Sequence, residues 1–284
     1  MAIDLDEIRR LVIIAMFSDD VLFKRIVLKG GNAISLVYGM GSRSSIDVDF
    51  SVEGDLDDLA DVETRIFRAL DDRFGSAGYV VFDKTFAKRP TTDNPEFSRW
   101  GGYRAEFKIM DRASFERIGK DIETARRSAQ IVGPLQQRKF RIELSKHEYC
   151  DSKREAELDR FTVYVYSLEM LVAEKLRAIC QQMPEYRNRA NKAARARDFY
   201  DVYVLISGGK VDLALPGNVE LLIHIFAAKD VPLELLGHMA DTREFHRPDW
   251  PAVRDSVVGD LDPFDFYFDF VINEVKKLEA LWNK

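Results

Sequence analysis

Residues 46 to 52 read Ile-Asp-Val-Asp-Phe-Ser-Val, alternating apolar and polar, which is the period of a strand buried on one face. On a strand, positions i and i+2 project to the same side. Asp47 and Asp49 therefore share one face, with Val48 and Phe50 on the other. Two carboxylates side by side repel each other. A divalent cation relieves that repulsion, because hard cations take carboxylate oxygen. The pair is either an exposed acidic strand end or half of a metal site.

Around this run the chain mixes helix and strand up to about residue 166, and is helical beyond it. Residues 4 to 18 read as a helix and 23 to 28 as a strand. Lys29-Gly30-Gly31 reads as a turn, followed by a short helix over about 32 to 38. Residues 55 to 74 carry Leu59, Val62, Ile66 and Leu70 at helical spacing. Strands are expected at 79 to 82, 103 to 110, 140 to 145 and 161 to 166, with a polar, basic segment before the third. The polar stretch 84 to 102 reads as a loop, long enough to suggest a functional one. Helices are expected at 167 to 182, 191 to 207, 217 to 228 and 264 to 282. The expected fold class is α+β, with one domain over 1–166 and a helical domain over 167–284.

Charge and cysteine usage narrow the function classes. A net charge of −6 argues against a globally basic nucleic-acid coat and leaves room for a local basic groove. Cys150 and Cys180 form no CxxC pair, so neither a disulfide framework nor a zinc cluster is expected, and a cytoplasmic location follows as the default. The apolar run of residues 11 to 17 is too short to span a membrane, and the acidic residues before it are unlike a signal peptide.

Four further constellations bear on the carboxylate pair. Lys29-Gly30-Gly31-Asn32 lies between an expected strand and a helix, where glycines admit close backbone approach to an anion; the plain alternative is a tight turn. Lys175 falls within the apolar stripe of Leu168, Leu171, Val172, Leu176 and Ile179 on a wheel of about 100° per residue. It either snorkels to the edge of the core or is aimed at phosphate. Residues 187 to 197 hold five basic residues (Arg187, Arg189, Lys192, Arg195, Arg197) and no acidic one; Asp198 follows at the edge of the next apolar stripe, with Asp201 turned toward solvent. That run is either a solvated helix start or a contact for RNA or nucleotide. Glu143 and Glu106 each alternate away from an apolar face, so either could stand beside Asp47 as a general base or third metal ligand, Glu143 being preferred.

Taken in order, these elements resemble a known family. Lys29-Gly30-Gly31-Asn32-Ala33-Ile34 is similar to its Lys-Gly-Gly-Thr-Ala-Leu signature, with Asn32 in place of threonine. Arg43-x-Ser45-x-Asp47-x-Asp49-Phe50 is similar to its Arg-x-Ser-x-Asp-Ile-Asp-Phe signature. Ala173-Glu174-Lys175-Leu176 and Arg197-Asp198-Phe199-Tyr200-Asp201 are similar to its third and fourth motifs. The family is that of the AbiEii/AbiGii-type nucleotidyltransferase toxins, including the MenT group.

The resemblance implies a polymerase β-like nucleotidyltransferase domain with a mixed sheet, followed by a helical domain. It implies Asp47 and Asp49 as ligands of Mg²⁺, joined by Glu143 on the reading above. Lys29, Gly30, Gly31, Ser42, Arg43 and Ser45 would lie near the phosphates of an NTP; Lys175 would contact the triphosphate, and Asp198 would be the acid of the fourth motif. It further implies a toxin with a cognate antitoxin partner, acting on the 3′ acceptor end of tRNA. Two alternatives stay open: a protein or small-molecule hydroxyl as acceptor, and a non-catalytic nucleotide- or partner-binding protein. The Asn32 departure is read as a change in helix capping, away from the metal site.

Overall fold

A computed structural model describes residues 3–41, 46–91, 99–119, 121–131, 137–188 and 191–283. The fold is α+β and divides into two compact units that interleave along the chain. The first comprises Met1–Asn32, Ser45–His147 and Glu155–Val165; the second comprises Ala33–Ser44, Glu148–Arg154 and Tyr166–Lys284. Two short segments, 33–44 and 148–154, thus join the helical unit although they precede residue 166 in the chain.

The first unit opens with α1 (Leu5–Ser18), started by the Asp4 carboxylate, which accepts from the Glu7 N–H at 2.7 Å. Nearly every residue of α1 from Ile8 onward is buried, so this is a core helix. Asp19 then caps α2 (Asp20–Arg25) by accepting from the N–H groups of Val21 and Leu22. That cap explains why a helix occupies residues where the apolar pattern alone predicts the start of a strand. The chain continues through β1 (Ile26–Lys29), the helical turn α3 (Gly30–Asn32), β2 (Val48–Val52), α4 (Leu59–Ser76), β3 (Tyr79–Arg89) and β4 (Gly102–Asp111). Then come α5 (Arg112–Ile118), α6 (Ile122–Ser128), β5 (Phe140–Ser145), β6 (Arg154–Leu158) and β7 (Phe161–Val165).

The seven strands form one mixed sheet in the order β3-β4-β5-β2-β1-β7-β6. β2 runs parallel to β5 and antiparallel to β1, which in turn is parallel to β7. In-register residues share a face. Ile26, Leu28, Val48, Phe50, Val52, Ile142 and Leu144 line the apolar face, where the Phe17 ring of α1 meets Phe50 and the Phe74 ring of α4 meets Phe107. The alternate positions (Asp49, Glu143, Arg104) fall on the other, polar face.

Other parts of this unit also depart from the sequence expectation. β3 continues to Arg89, through residues that read as loop. Its alternation is broken by a register shift between Phe82 and Thr85, where Asp83 takes φ 53° and pairs with Lys108 and Arg126. The polar, basic segment holds α5 and α6, capped by Asp111 and Asp121, which cover a small cluster of Phe82, Met110, Ala125 and Ala129. β6 ends the sheet as a charged edge strand, with no apolar alternation to announce it.

In the second unit a π-helical turn spans Ala33–Val37, and the helices are α7 (Leu168–Cys180), α8 (Ala196–Gly209), α9 (Pro216–Ala227), α10 (Arg243–His246), α11 (Trp250–Ser256) and α12 (Phe264–Lys276). α7 packs on α8 and α9, and α8 packs on α11 and α12. Phe199 of α8 stacks on Phe268 and meets Phe264 edge-on, while Trp250 lies against Phe264 and Tyr267. α8 starts at Ala196 rather than 191 because its free N–H groups find partners far along the chain: Ala196 donates to the Asp249 carboxylate at 3.1 Å, and Arg195 to Nδ1 of His246 at 3.0 Å. α12 stops six residues short of the expected end, tightening as Lys277 N–H turns back to the Glu274 carbonyl. Among the described residues, no helix is long and apolar enough to cross a membrane.

Candidate active site

In the first unit a row of charge crosses the polar face of the sheet. Lys29 of β1 stands opposite Asp49 of β2, Asp49 opposite Glu143 of β5, and Glu143 opposite Arg104 of β4. Four neighbouring strands thus contribute one residue each, in the order positive, negative, negative, positive. At the end of β1 the chain turns at Gly30 with φ +70°. A β-carbon there would lie 2.8 Å from Oδ2 of Asp49. Position 30 therefore needs glycine twice over, for its backbone angle and for the carboxylate lying against it.

Asp47 lies one residue before the first rung of the β2 ladder, half-buried. Its carbonyl oxygen is held by a side chain: Nδ2 of Asn32 donates to it at 2.7 Å. Asn32 is fully buried, and its Oδ1 accepts from Nη1 of Arg9 at 3.2 Å. This corrects the reading of Asn32 as a helix cap remote from the pair: it is the last residue of α3 and bonds directly to the Asp47 peptide. Arg9, a cation inside the buried face of α1, escaped the sequence reading; the signal was the one that singled out Lys175, a charged residue within an apolar helical stripe.

The structure brings Glu143 beside Asp49 and gives its carboxylate to Arg104. One oxygen, Oε1, accepts from both Nε (3.0 Å) and Nη2 (2.7 Å). Glu106 is separated from β2 by a strand and is held by Lys139 and Arg141. Burial alone would raise its pKa, but the bonds from these two cations keep it below the usual carboxylate range. Ser42, Arg43 and Ser45 lie outside the described residues.

The donor set fits magnesium in one specific way. Among the described residues no group of three or more His, Cys, Asp or Glu side chains is arranged to hold a metal ion. Mg²⁺, however, is commonly held by one or two carboxylates, with substrate phosphates and water completing its shell. Asp47 and Asp49, hard oxygen donors two residues apart beside a glycine turn, match that requirement without a third protein ligand.

In the second unit, Lys175 lies buried on α7 between two carboxylates of α8. Its Nζ is 2.6 Å from Asp201 Oδ2 and 3.2 Å from Asp198 Oδ1. Asp201, expected toward solvent, is buried because Lys175 reaches it from another helix. Asp198 also accepts from the Arg195 guanidinium. Burial would raise its pKa, yet the charges of Arg195, Lys175 and Arg197 hold it well below the ordinary carboxylate range. The basic run divides: Arg195 and Lys192 bond to protein groups, Arg187 and Arg197 are exposed, and Arg189 lies outside the described residues. His246 and Asp249, which hold the start of α8, were not picked out from the sequence, as nothing local marks them.

Among solved structures, an antigenic nucleotidyltransferase-like protein from Paracoccidioides brasiliensis matches at 13% identity over 90% of this chain and 94% of that chain, with a TM-score of 0.40, too low to decide the fold. No curated protein matches the chain. The family described as "Nucleotidyl transferase AbiEii toxin, Type IV TA system" matches residues 12–270, and the chain therefore belongs to the AbiEii nucleotidyltransferase toxin family.

Proposed function

We propose that this protein is a Mg²⁺-dependent toxin that transfers a nucleoside monophosphate from an NTP to the 3′ acceptor end of tRNA, blocking translation. The observation that carries the reading is the Asp49 carboxylate lying against Gly30, with Asp47 two residues before it. Asp47 and Asp49 would hold the metal. When bound, the ion supplies charge to the α-phosphate and lowers the pKa of the attacking hydroxyl.

The residues of the chain do the rest. Gly30 and Gly31 leave the backbone open to phosphate. Lys29, on the same face as Asp49, offsets negative charge that would otherwise accumulate there. The acceptor oxygen forms its bond to the α-phosphorus as the bond to the β-phosphate bridge breaks. Pyrophosphate leaves, and the hydroxyl proton passes to a carboxylate or to water. Lys175, its charge met by Asp198 and Asp201, is assigned to holding α7 against α8, and exposed Arg187 and Arg197 suit an RNA backbone. Membership of a type IV toxin–antitoxin family supports an antitoxin partner, and the proposed NTP and tRNA substrates favour a cytoplasmic location.

The test is incubation with each α-labelled NTP, total tRNA and Mg²⁺. Label should appear on tRNA with the wild type and be lost with Asp47→Ala or a chelator. Absence of label, or equal labelling by Asp47→Ala, overturns the reading. Labelled protein with unlabelled RNA moves the acceptor to a protein hydroxyl.

A further inference from the structure

The peptide that carries Asp47 is tied to a buried side chain. The β2 ladder begins at Val48, one residue after Asp47. Nδ2 of Asn32 donates to the Asp47 carbonyl at 2.7 Å. A carboxamide has two ends of nearly equal shape, one donating and one accepting. Turned the wrong way, Asn32 would place an oxygen against the Asp47 carbonyl and push the peptide away.

Arg9 fixes which way the amide faces. A guanidinium has donors and no acceptor, so it can face only the oxygen end of the amide. Nη1 of Arg9 donates to Oδ1 of Asn32, which turns the NH₂ end toward Asp47. Arg9 is itself held: it is 2% exposed, rides on α1 and also bonds to Asp6. The chain of contacts runs from a rigid core helix, through a buried amide, to the backbone of Asp47.

We propose that Arg9 and Asn32 are positioning residues for the carboxylate pair. They set the Asp47 peptide so that its side chain stands beside that of Asp49 at a spacing a divalent cation can bridge. This rests on the reading of Asp47 and Asp49 as cation ligands. It also gives a chemical sense to asparagine at a position where the family signature has threonine. A threonine hydroxyl donates and accepts at a single atom; asparagine separates the two functions and lets a buried arginine set their direction.

The experiment measures Mn²⁺ binding to the full chain by water-proton relaxation, beside thermal unfolding of each variant. Wild type should bind, and Asp49→Asn should abolish binding. Asn32→Ala and Arg9→Leu should each bind about 10-fold or more weakly, the range found when a partner that orients a metal ligand is removed. No Mn²⁺ binding by wild type, or full binding by Asp49→Asn, removes the cation reading itself. Binding that depends on Asp49 but is unchanged in folded Arg9→Leu or Asn32→Ala overturns the positioning role and leaves that reading intact. Should Asn32→Ala not fold, Arg9→Leu decides: folded Arg9→Leu at wild-type affinity overturns it.

Discussion

Asp49 and Glu143 stand directly opposite each other on adjacent parallel strands, and Arg104 on the next strand takes two hydrogen bonds to a single oxygen of Glu143. Two carboxylates this close would repel if both were left to water. Arg104 offsets the second charge, so the row carries one acidic residue committed to an arginine and one lying against the glycine turn.

This asymmetry predicts unequal effects on nucleotidyl transfer. Asp49→Asn should lower the rate by at least about 100-fold, because a lost metal ligand removes several kcal/mol of transition-state stabilisation. Glu143→Gln keeps an acceptor for Arg104 and should cost no more than about 10-fold, less than the usual contribution of a general base. Single-turnover transfer assays at saturating NTP would measure both. A Glu143→Gln variant as inactive as Asp49→Asn would return Glu143 to the role of third ligand or base.

Gly30→Ala should harm the site beyond its cost in stability. The added β-carbon would stand 2.8 Å from Asp49 Oδ2, and the residue would keep φ +70°, which costs an L-residue about 1–2 kcal/mol. Gly39→Ala is the matched control, with φ +62° and nothing within 4 Å of the new carbon. Urea unfolding should show both variants destabilised, Gly30→Ala by the larger amount. Only Gly30→Ala should lose transfer activity and Mn²⁺ affinity, because only there is the Asp49 carboxylate displaced. Equal activity in the two variants would refute the contact.

What the sequence revealed divides along physical lines. Elements whose burial shows in their own periodicity were legible: β2 with its alternation, α4 with its stripe, and α7 with a lysine out of place. The paired aspartates were expected on one face because a strand fixes where i and i+2 point; Asp49 lies on β2, and Asp47 lies one residue before it. Elements held by partners elsewhere were not legible. Asp201 looked solvent-facing because Lys175, which buries it, sits on another helix. The true start of α8 depends on Asp249 and His246, more than fifty residues on. Asn32 looked like a cap because its real partners, Arg9 and the Asp47 carbonyl, are distant in the chain. β6 carries charge where apolar alternation would have marked it.

Lys175→Met should destabilise the second unit strongly. It leaves the carboxylates of Asp198 and Asp201 buried without the cation between them, and breaking a buried pair costs about 3–5 kcal/mol. Adding Asp201→Asn to Lys175→Met should recover part of that loss, because one uncompensated charge is removed, while Asp198 keeps Arg195. Urea denaturation of the two single variants and the double variant gives the coupling directly. Additive losses would mean that Lys175 and Asp201 do not act as a pair.

His246 makes stability depend on pH between about 4 and 6.5. The ring is fully buried against Phe199, and Nδ1 accepts from the Arg195 N–H, which requires an unprotonated nitrogen. Burial lowers its pKa from 6.5 to about 4; the nearby Asp198 opposes that shift and Arg195 adds to it. Between those two values the unfolded chain binds a proton that the folded chain refuses, so stability is full above pH 6.5 and declines as pH falls toward 4. From pH 7 to pH 5 the loss from this one group should be about 2 kcal/mol. Asp198, with its lowered pKa, adds a loss only at pH below the usual carboxylate value, and Asp249, raised by burial, works in the opposite direction above that value and is common to both proteins. His246→Asn retains an acceptor for the Arg195 N–H and cannot titrate. Urea unfolding of wild type and His246→Asn at pH 7, 6 and 5 isolates the effect, since the three remaining histidines are common to both proteins. Wild type should lose stability more steeply, and parallel curves would show that His246 is not held neutral.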